Sequence, residues 1–306
     1  MFLGTAIMML AGSIVGFANY FLKRSIDAGG SSKVYLMIQL GVTFFVAILL
    51  NPVRSGNFSF SPEMASLGLL AGVVLGFMML SFGKALECGP AGLTSAILNA
   101  STVFPILGMV AFFGKDYGFH YTLSNGAGSI ILLAGLFWAG YETVHREAFR
   151  KWLYLALAAC FLHIVFLLIL QYRFVLLSFP GESSLFFNLS QREAASEWFM
   201  PMTFFSAAVM QVIVYIKQEL RPIKKEEIRF GLLGGAFQGV GTFFMIIATE
   251  KATALEQAMI FPIFSLMIVL VCNIWGQFLY KEKVHWRAMT VSLFGLLVGA
   301  LNWSVV

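Results

Sequence analysis

The chain has 306 residues, 59% hydrophobic and 11% charged, with a mean hydropathy of +0.85 and a net charge of +5. A soluble domain is about 25% charged, so these residues cannot coat a water-exposed globule, and the chain reads as an integral membrane protein. The excess of Lys and Arg reads as a topology signal rather than nucleic-acid binding. Cys88, Cys160 and Cys272 are scattered with no CxxC pair, which predicts neither a disulfide nor a metal site.

A hydrocarbon core about 30 Å thick takes about 20 apolar helical residues, and open strands do not cross lipid. The first apolar segment, 2–22, carries its positive charge after the apolar run, so it reads as a retained membrane helix rather than a signal peptide. Further segments follow at 34–51, 64–84, 91–113, 121–141, 152–172, 199–217, 228–249, 254–279 and 286–304, ten spans in all. Most connections are short. The exception is an insertion, 173–198, whose Pro-Gly and polar residues predict a loop, with "SLFF" lying along the interface.

The loops after spans 1, 3, 5, 7 and 9 carry fifteen of the twenty Lys and Arg. The positive-inside rule puts those loops in the cytoplasm and both termini outside. The expected location is the cell (inner) membrane, multi-pass.

Internal similarity divides the chain. "GLLAGVVLG" (68–76) matches "GLLGGAFQG" (231–239), each spacing glycine every fourth residue. The Glu of "ALE" (85–87) faces that of "ATE" (248–250), "GKD" (114–116) faces "YKE" (280–282), and His120 faces His285. The shared order predicts two five-helix repeats, 1–145 and 146–306. With five spans each, the second enters the membrane inverted, an arrangement common in secondary transporters. The glycine stripes read as close-packing seams. Glu87 and Glu250, with Lys84 and Lys251, end the third helix of each repeat and read as interfacial caps.

"ALECGPAGLTSAIL" (85–98) resembles the third-to-fourth helix hairpin of the drug/metabolite transporter superfamily, EamA-like group. "FPIFSLMIVLVCNIWGQFLYKEKVHWRAMTVSLFGLLVGALNW" (261–303) resembles its last two helices. "GKD" departs from the usual acidic residue after glycine, and the insertion departs from the usual short loops. The resemblance implies a ten-helix, alternating-access carrier with cytoplasmic termini. The charge count opposes that orientation, and termini outside are expected here.

Polar side chains deep in a span are candidate functional groups. At about 1.5 Å per residue, Asn99, His163, Gln211 and Gln238 fall near mid-membrane. Asn19 and Gln39 lie nearer the ends of spans 1 and 2, and Glu256 and Gln257 open span 9. For each Asn or Gln the alternative is an interhelical hydrogen bond, about 0.6 kcal/mol in a membrane. His163 and Glu256 are the candidates for proton or ion coupling. No HExxH, GxSxG or GxxxxGK[ST] motif occurs, so no catalytic residue, cofactor or enzyme activity is expected. The residues point to a secondary transporter of a small organic metabolite: an amino-acid, nucleoside, sugar-like or amphipathic solute. The alternative is a membrane-embedded enzyme or lipid-handling protein on the same fold. The lipid bilayer and the solute are the expected partners.

Overall fold

A computed structural model describes residues 3–88, 91–114, 121–139, 149–178, 191–257, 259–281 and 285–300. Several expectations fall outside these residues: Lys115 and Asp116 of "GKD", His120, "SLFF", and the boundary between the repeats near 145. The side chain of Glu87 is likewise outside what is described.

Among the described residues the chain is all-α. The helices are α1 Leu3–Asp27, α2 Ser32–Ile48 (continued by a π turn, Leu49–Val53), α3 Pro62–Cys88, α4 Ala91–Ala100, α5 Phe104–Phe112 and α6 Leu123–Ala139. They continue with α7 Phe149–Ser178, α8 Gln191–Ala194, α9 Phe199–Gln218, α10 Lys225–Lys251, α11 Ala254–Gln257, α12 Ile260–Tyr280 and α13 Trp286–Ala300. Among the described residues, eight segments are long and apolar enough to cross a membrane, while the apolar stretches of α6 and α13 are shorter, Leu123–Trp138 and Trp286–Gly299. Large apolar side chains such as Phe45, Ile130, Phe278 and Leu297 are exposed around the outside. A water-facing surface would not tolerate so continuous an apolar coat, but lipid does.

The structure revises three of the expected elements. The ninth, 254–279, is split into α11 and α12, so Glu256 and Gln257 lie on the short α11 rather than opening the long helix. The fourth is broken: Ser101–Val103 forms a 3₁₀ turn between α4 and α5. Pro105 explains the break, because its ring displaces the carbonyl four residues earlier, that of Ser101, and it offers no N–H. The expected loop 173–198 begins late, since α7 runs on through Ser178. Arg173 therefore sits in a helix, 8% exposed, and bonds Glu250 across 2.7 Å. The partner on α10 lets a charged residue remain in the helix.

α1 packs on α10 and α12, and α7 packs on α3 and on α4 and α5. α3 lies against α9, α10 against α2, α2 against α9, and α6 against α13. The glycine stripes form two of these seams. Gly68 and Gly72 face the carbonyls of Phe199 and Thr203 on α9, while Gly235 faces the carbonyl of Gln39 on α2. A Cβ at Gly235 would lie 2.6 Å from that oxygen, closer than a side chain tolerates, so these helices meet through bare backbone.

At the Lys/Arg-rich end, polar contacts tie the α1–α2 turn to the α9–α10 turn. Glu227, with no exposed side-chain surface, accepts from the Ser31 N–H (2.7 Å), the Lys224 N–H (2.8 Å) and both terminal nitrogens of Arg221 (2.5 and 3.1 Å). Glu219 accepts from the Ser31 hydroxyl at 2.5 Å and pairs with Lys33 at 3.6 Å.

Candidate functional site

A cavity of about 300 Å³ lies between the helices, at the small end of the range for organic ligands. Its walls come from α1, α3, α4, α6, α7, α9, α10 and α12. Phe166, Phe204, Met245 and Phe264 make its inner surface apolar. Lys23, Ile26 and Asp27 from the last turns of α1 line it too, as do Phe82 near the end of α3 and Trp275 near the end of α12. Those helix ends lie beside the Lys/Arg-rich loops, so the cavity opens toward that end.

A set of polar groups lies between the apolar inner wall and this mouth. Asn19, Asn99, His163 and Gln238 all line the cavity. They come from α1, α4, α7 and α10. The 3₁₀ turn after α4 positions one of them: the Ser101 hydroxyl approaches His163 Nδ1 at 2.6 Å. On α10 Gln238 Nε2 donates to Thr242 Oγ1 at 3.2 Å.

The other four sequence candidates lie away from the cavity. Gln39 is buried, 3% exposed, in the seam between α2 and α10. Gln211 donates to the carbonyl of Gly76 at 3.2 Å, bridging α9 and α3. Glu256 accepts from the backbone N–H groups of Thr5 and Thr253, both at 2.8 Å, which ties α11 to the start of α1. Gln257 donates to the carbonyl of Thr249 at 3.0 Å. Gln211, Glu256 and Gln257 thus each make hydrogen bonds to backbone groups of neighbouring segments, the alternative reading of a mid-span polar residue.

The sequence reading missed Thr242, Ser95 and Asn273, which line the cavity, and Lys23 and Asp27 at its mouth. Thr242 carried a usable signal, since it lies one helical turn after Gln238 and so shares its face. Asn273 sits in an apolar run with no such neighbour.

The opposite end is filled. Met8, Met64, Leu67, Leu176, Phe199, Met200, Ile260 and Phe261 belong to one buried cluster drawn from α1, α3, α7, α9 and α12. Arg173 lies over the ring of Phe199, 5.5 Å from its centre, while holding Glu250. Burial pushes the carboxyl of nearby Glu197 above its ordinary range; the Arg173 charge opposes this and Glu250 adds to it.

No family model matches the sequence, and no curated protein matches it. Among solved structures, one described only as "Crystal structure of protein" is similar over 97% of this chain and 94% of its own, at a TM-score of 0.65 and 15% identity. At that identity the likeness extends to the fold alone. The chain has the helices of a multi-pass membrane protein and shares its fold, nearly end to end, with a solved structure.

Proposed function

We propose that the protein is a secondary transporter of a small organic metabolite. In this reading ten helices cross the membrane as two inverted repeats, α1–α6 and α7–α13, of the drug/metabolite transporter type. The observation that carries the proposal is a cavity open at one end, packed shut at the other, and walled by both halves of the chain. A carrier needs that asymmetry, because its solute must reach water on one side only at any moment.

The packing pattern supports the repeat. Exchanging the halves turns the α1–α10 contact into α7–α3, α1–α12 into α7–α4, and α2–α10 into α9–α3, all of which occur. The α2–α9 and α6–α13 contacts map onto themselves. Each glycine stripe likewise faces the second helix of the opposite half. Proton coupling runs through His163, which lines the cavity; Glu256 belongs to the closed end. The Lys/Arg-rich end, where the cavity opens, is cytoplasmic by the positive-inside rule.

The test is flux. In proteoliposomes preloaded with a solute that shifts the protein's melting temperature, labelled solute outside should accumulate by counterflow and saturate. Chemical conversion of the solute without movement would instead identify a membrane-embedded enzyme or lipid-handling protein.

A further inference from the structure

The polar groups of the cavity are oriented by their neighbours, and the orientation is the same at each. Ser101 Oγ donates its one hydrogen to the Leu98 carbonyl at 2.5 Å. His163 Nδ1 lies between that hydroxyl oxygen, 2.6 Å away, and the same carbonyl, 3.3 Å away. A carbonyl only accepts, so Nδ1 carries the proton and Nε2 keeps its lone pair.

Asn99 Nδ2 donates to the Ser95 carbonyl at 2.8 Å, which fixes that amide with its oxygen free. Thr242 Oγ1 gives its hydrogen to the Gln238 carbonyl at 2.8 Å, so it receives Gln238 Nε2 as an acceptor and the Gln238 side-chain oxygen is left over. Asn19 follows the same rule through sulfur: its Nδ2 faces Cys272 Sγ at 4.0 Å, and that thiol faces the Gly16 carbonyl. None of the four remaining acceptors, Asn19 Oδ1, Asn99 Oδ1, His163 Nε2 and Gln238 Oε1, has a hydrogen-bond partner among the described residues. None is shut away from open space either.

The cavity therefore presents acceptors in excess. Asn273 is the exception, since its Nδ2 is buried without a partner. Among the described lining residues the formal charges are Lys23 and Asp27, opposite in sign and on the last turns of α1. Inside them the lining is made of polar side chains and the aromatic residues Phe82, Phe166, Phe204, Phe264 and Trp275.

We propose that this site binds the primary ammonium group of a small organic amine whose body is apolar. An ammonium carries three donors and no acceptor, which matches an array of acceptors. A hydroxyl would leave its own lone pairs facing more lone pairs, and a carboxylate would be repelled. Aromatic faces and carbonyl dipoles both favour a cation. The inference rests on the carrier reading only for what happens after binding; the binding site stands by itself.

The test is equilibrium binding to the purified full-length protein in detergent, which does not require transport. The probes are 2-phenylethylamine, 2-phenylethanol, 3-phenylpropionate and trimethyl(2-phenylethyl)ammonium, alike in body and different in head group. The amine should bind about tenfold or more tighter than the alcohol and the quaternary ion, since each hydrogen bond to a charged donor is worth about one decade. The anion should not bind. Asn99→Leu, which keeps the size and removes an acceptor, should cost the amine about tenfold and leave the quaternary ion unchanged. Equal binding of the quaternary ion would reduce the site to charge and aromatic faces and overturn the acceptor argument. Preference for the alcohol or the anion, or no binding by any probe, would also overturn it. Amine binding without counterflow would leave this inference intact and remove the carrier reading.

Discussion

Gly72→Leu is expected to abolish most of the folded yield. Gly72 sits at the centre of the α3 stripe, where an added Cβ would meet the Thr203 carbonyl and the Ser206 hydroxyl of α9. The carbonyl belongs to a helix backbone and cannot swing aside as a side-chain tip can. A leucine there forces α3 and α9 apart over several turns, which strips contacts from Gly68 and Gly76 as well. Overpacking in a tight site costs about 1–3 kcal/mol, more where backbone must move, and a helix seam concentrates that cost. Gly235→Leu should behave alike, because its added atoms meet the Gln39 carbonyl and Val42 on α2. Gly41, whose Cβ would meet nothing within 4 Å, is the internal control, and Gly41→Ala should express as wild type. The measurement is the monodisperse fraction on size exclusion. Wild-type yields for both leucine variants would show that the helices do not meet through these glycines.

Glu227→Ala should be the most destabilising change at the Lys/Arg-rich end. Its carboxylate gathers two backbone N–H groups and the Arg221 guanidinium while fully covered. Arg221 is 32% exposed and can turn to water, but the N–H groups of Ser31 and Lys224 lose their acceptor. Hydrogen bonds to a charged group are worth about 1.5–3 kcal/mol each, so a net loss of about 3 kcal/mol is expected. At about 2.1 cal/mol/K of unfolding entropy per residue, that lowers the apparent Tm of a chain of this size by about 5 °C. Glu227→Gln, which keeps an acceptor oxygen, should fall between. An unchanged Tm for the alanine variant would mean that the two turns are not held together through this residue.

The membrane helices were readable because hydropathy and length decide them. The apolar run 64–84 lies within α3, and 199–217 lies within α9. At Arg173 the reading failed because a tertiary partner had intervened. Arg173 reads as the start of a loop because a charge ends an apolar run, yet Glu250, distant in sequence, keeps it helical. The 3₁₀ break at Ser101–Val103 was foreshadowed by Pro105, but which hydroxyl it would bring to His163 was not. Depth along a helix separated mid-membrane polar residues from the rest without giving their direction around the axis. That is why Gln238 and Gln211 read alike, although one lines the cavity and the other binds the Gly76 carbonyl. The acceptor-rich character of the cavity was beyond the sequence altogether, because it depends on which way each amide and ring is turned.

The central claim, a cavity exposed to one side of the membrane at a time, can be tested through a native cysteine. Cys272 lines the cavity, whereas Cys88 and Cys160 pack beside the cluster of Ala85, Ile97, Trp152 and Ala156. With Cys88→Ala and Cys160→Ala in place, a membrane-impermeant maleimide should reach Cys272 from the cytoplasmic face of oriented vesicles at rest. During solute exchange it should reach Cys272 from the opposite face as well. Labelling from the cytoplasmic face alone under all conditions, or from the opposite face alone at rest, would contradict the account.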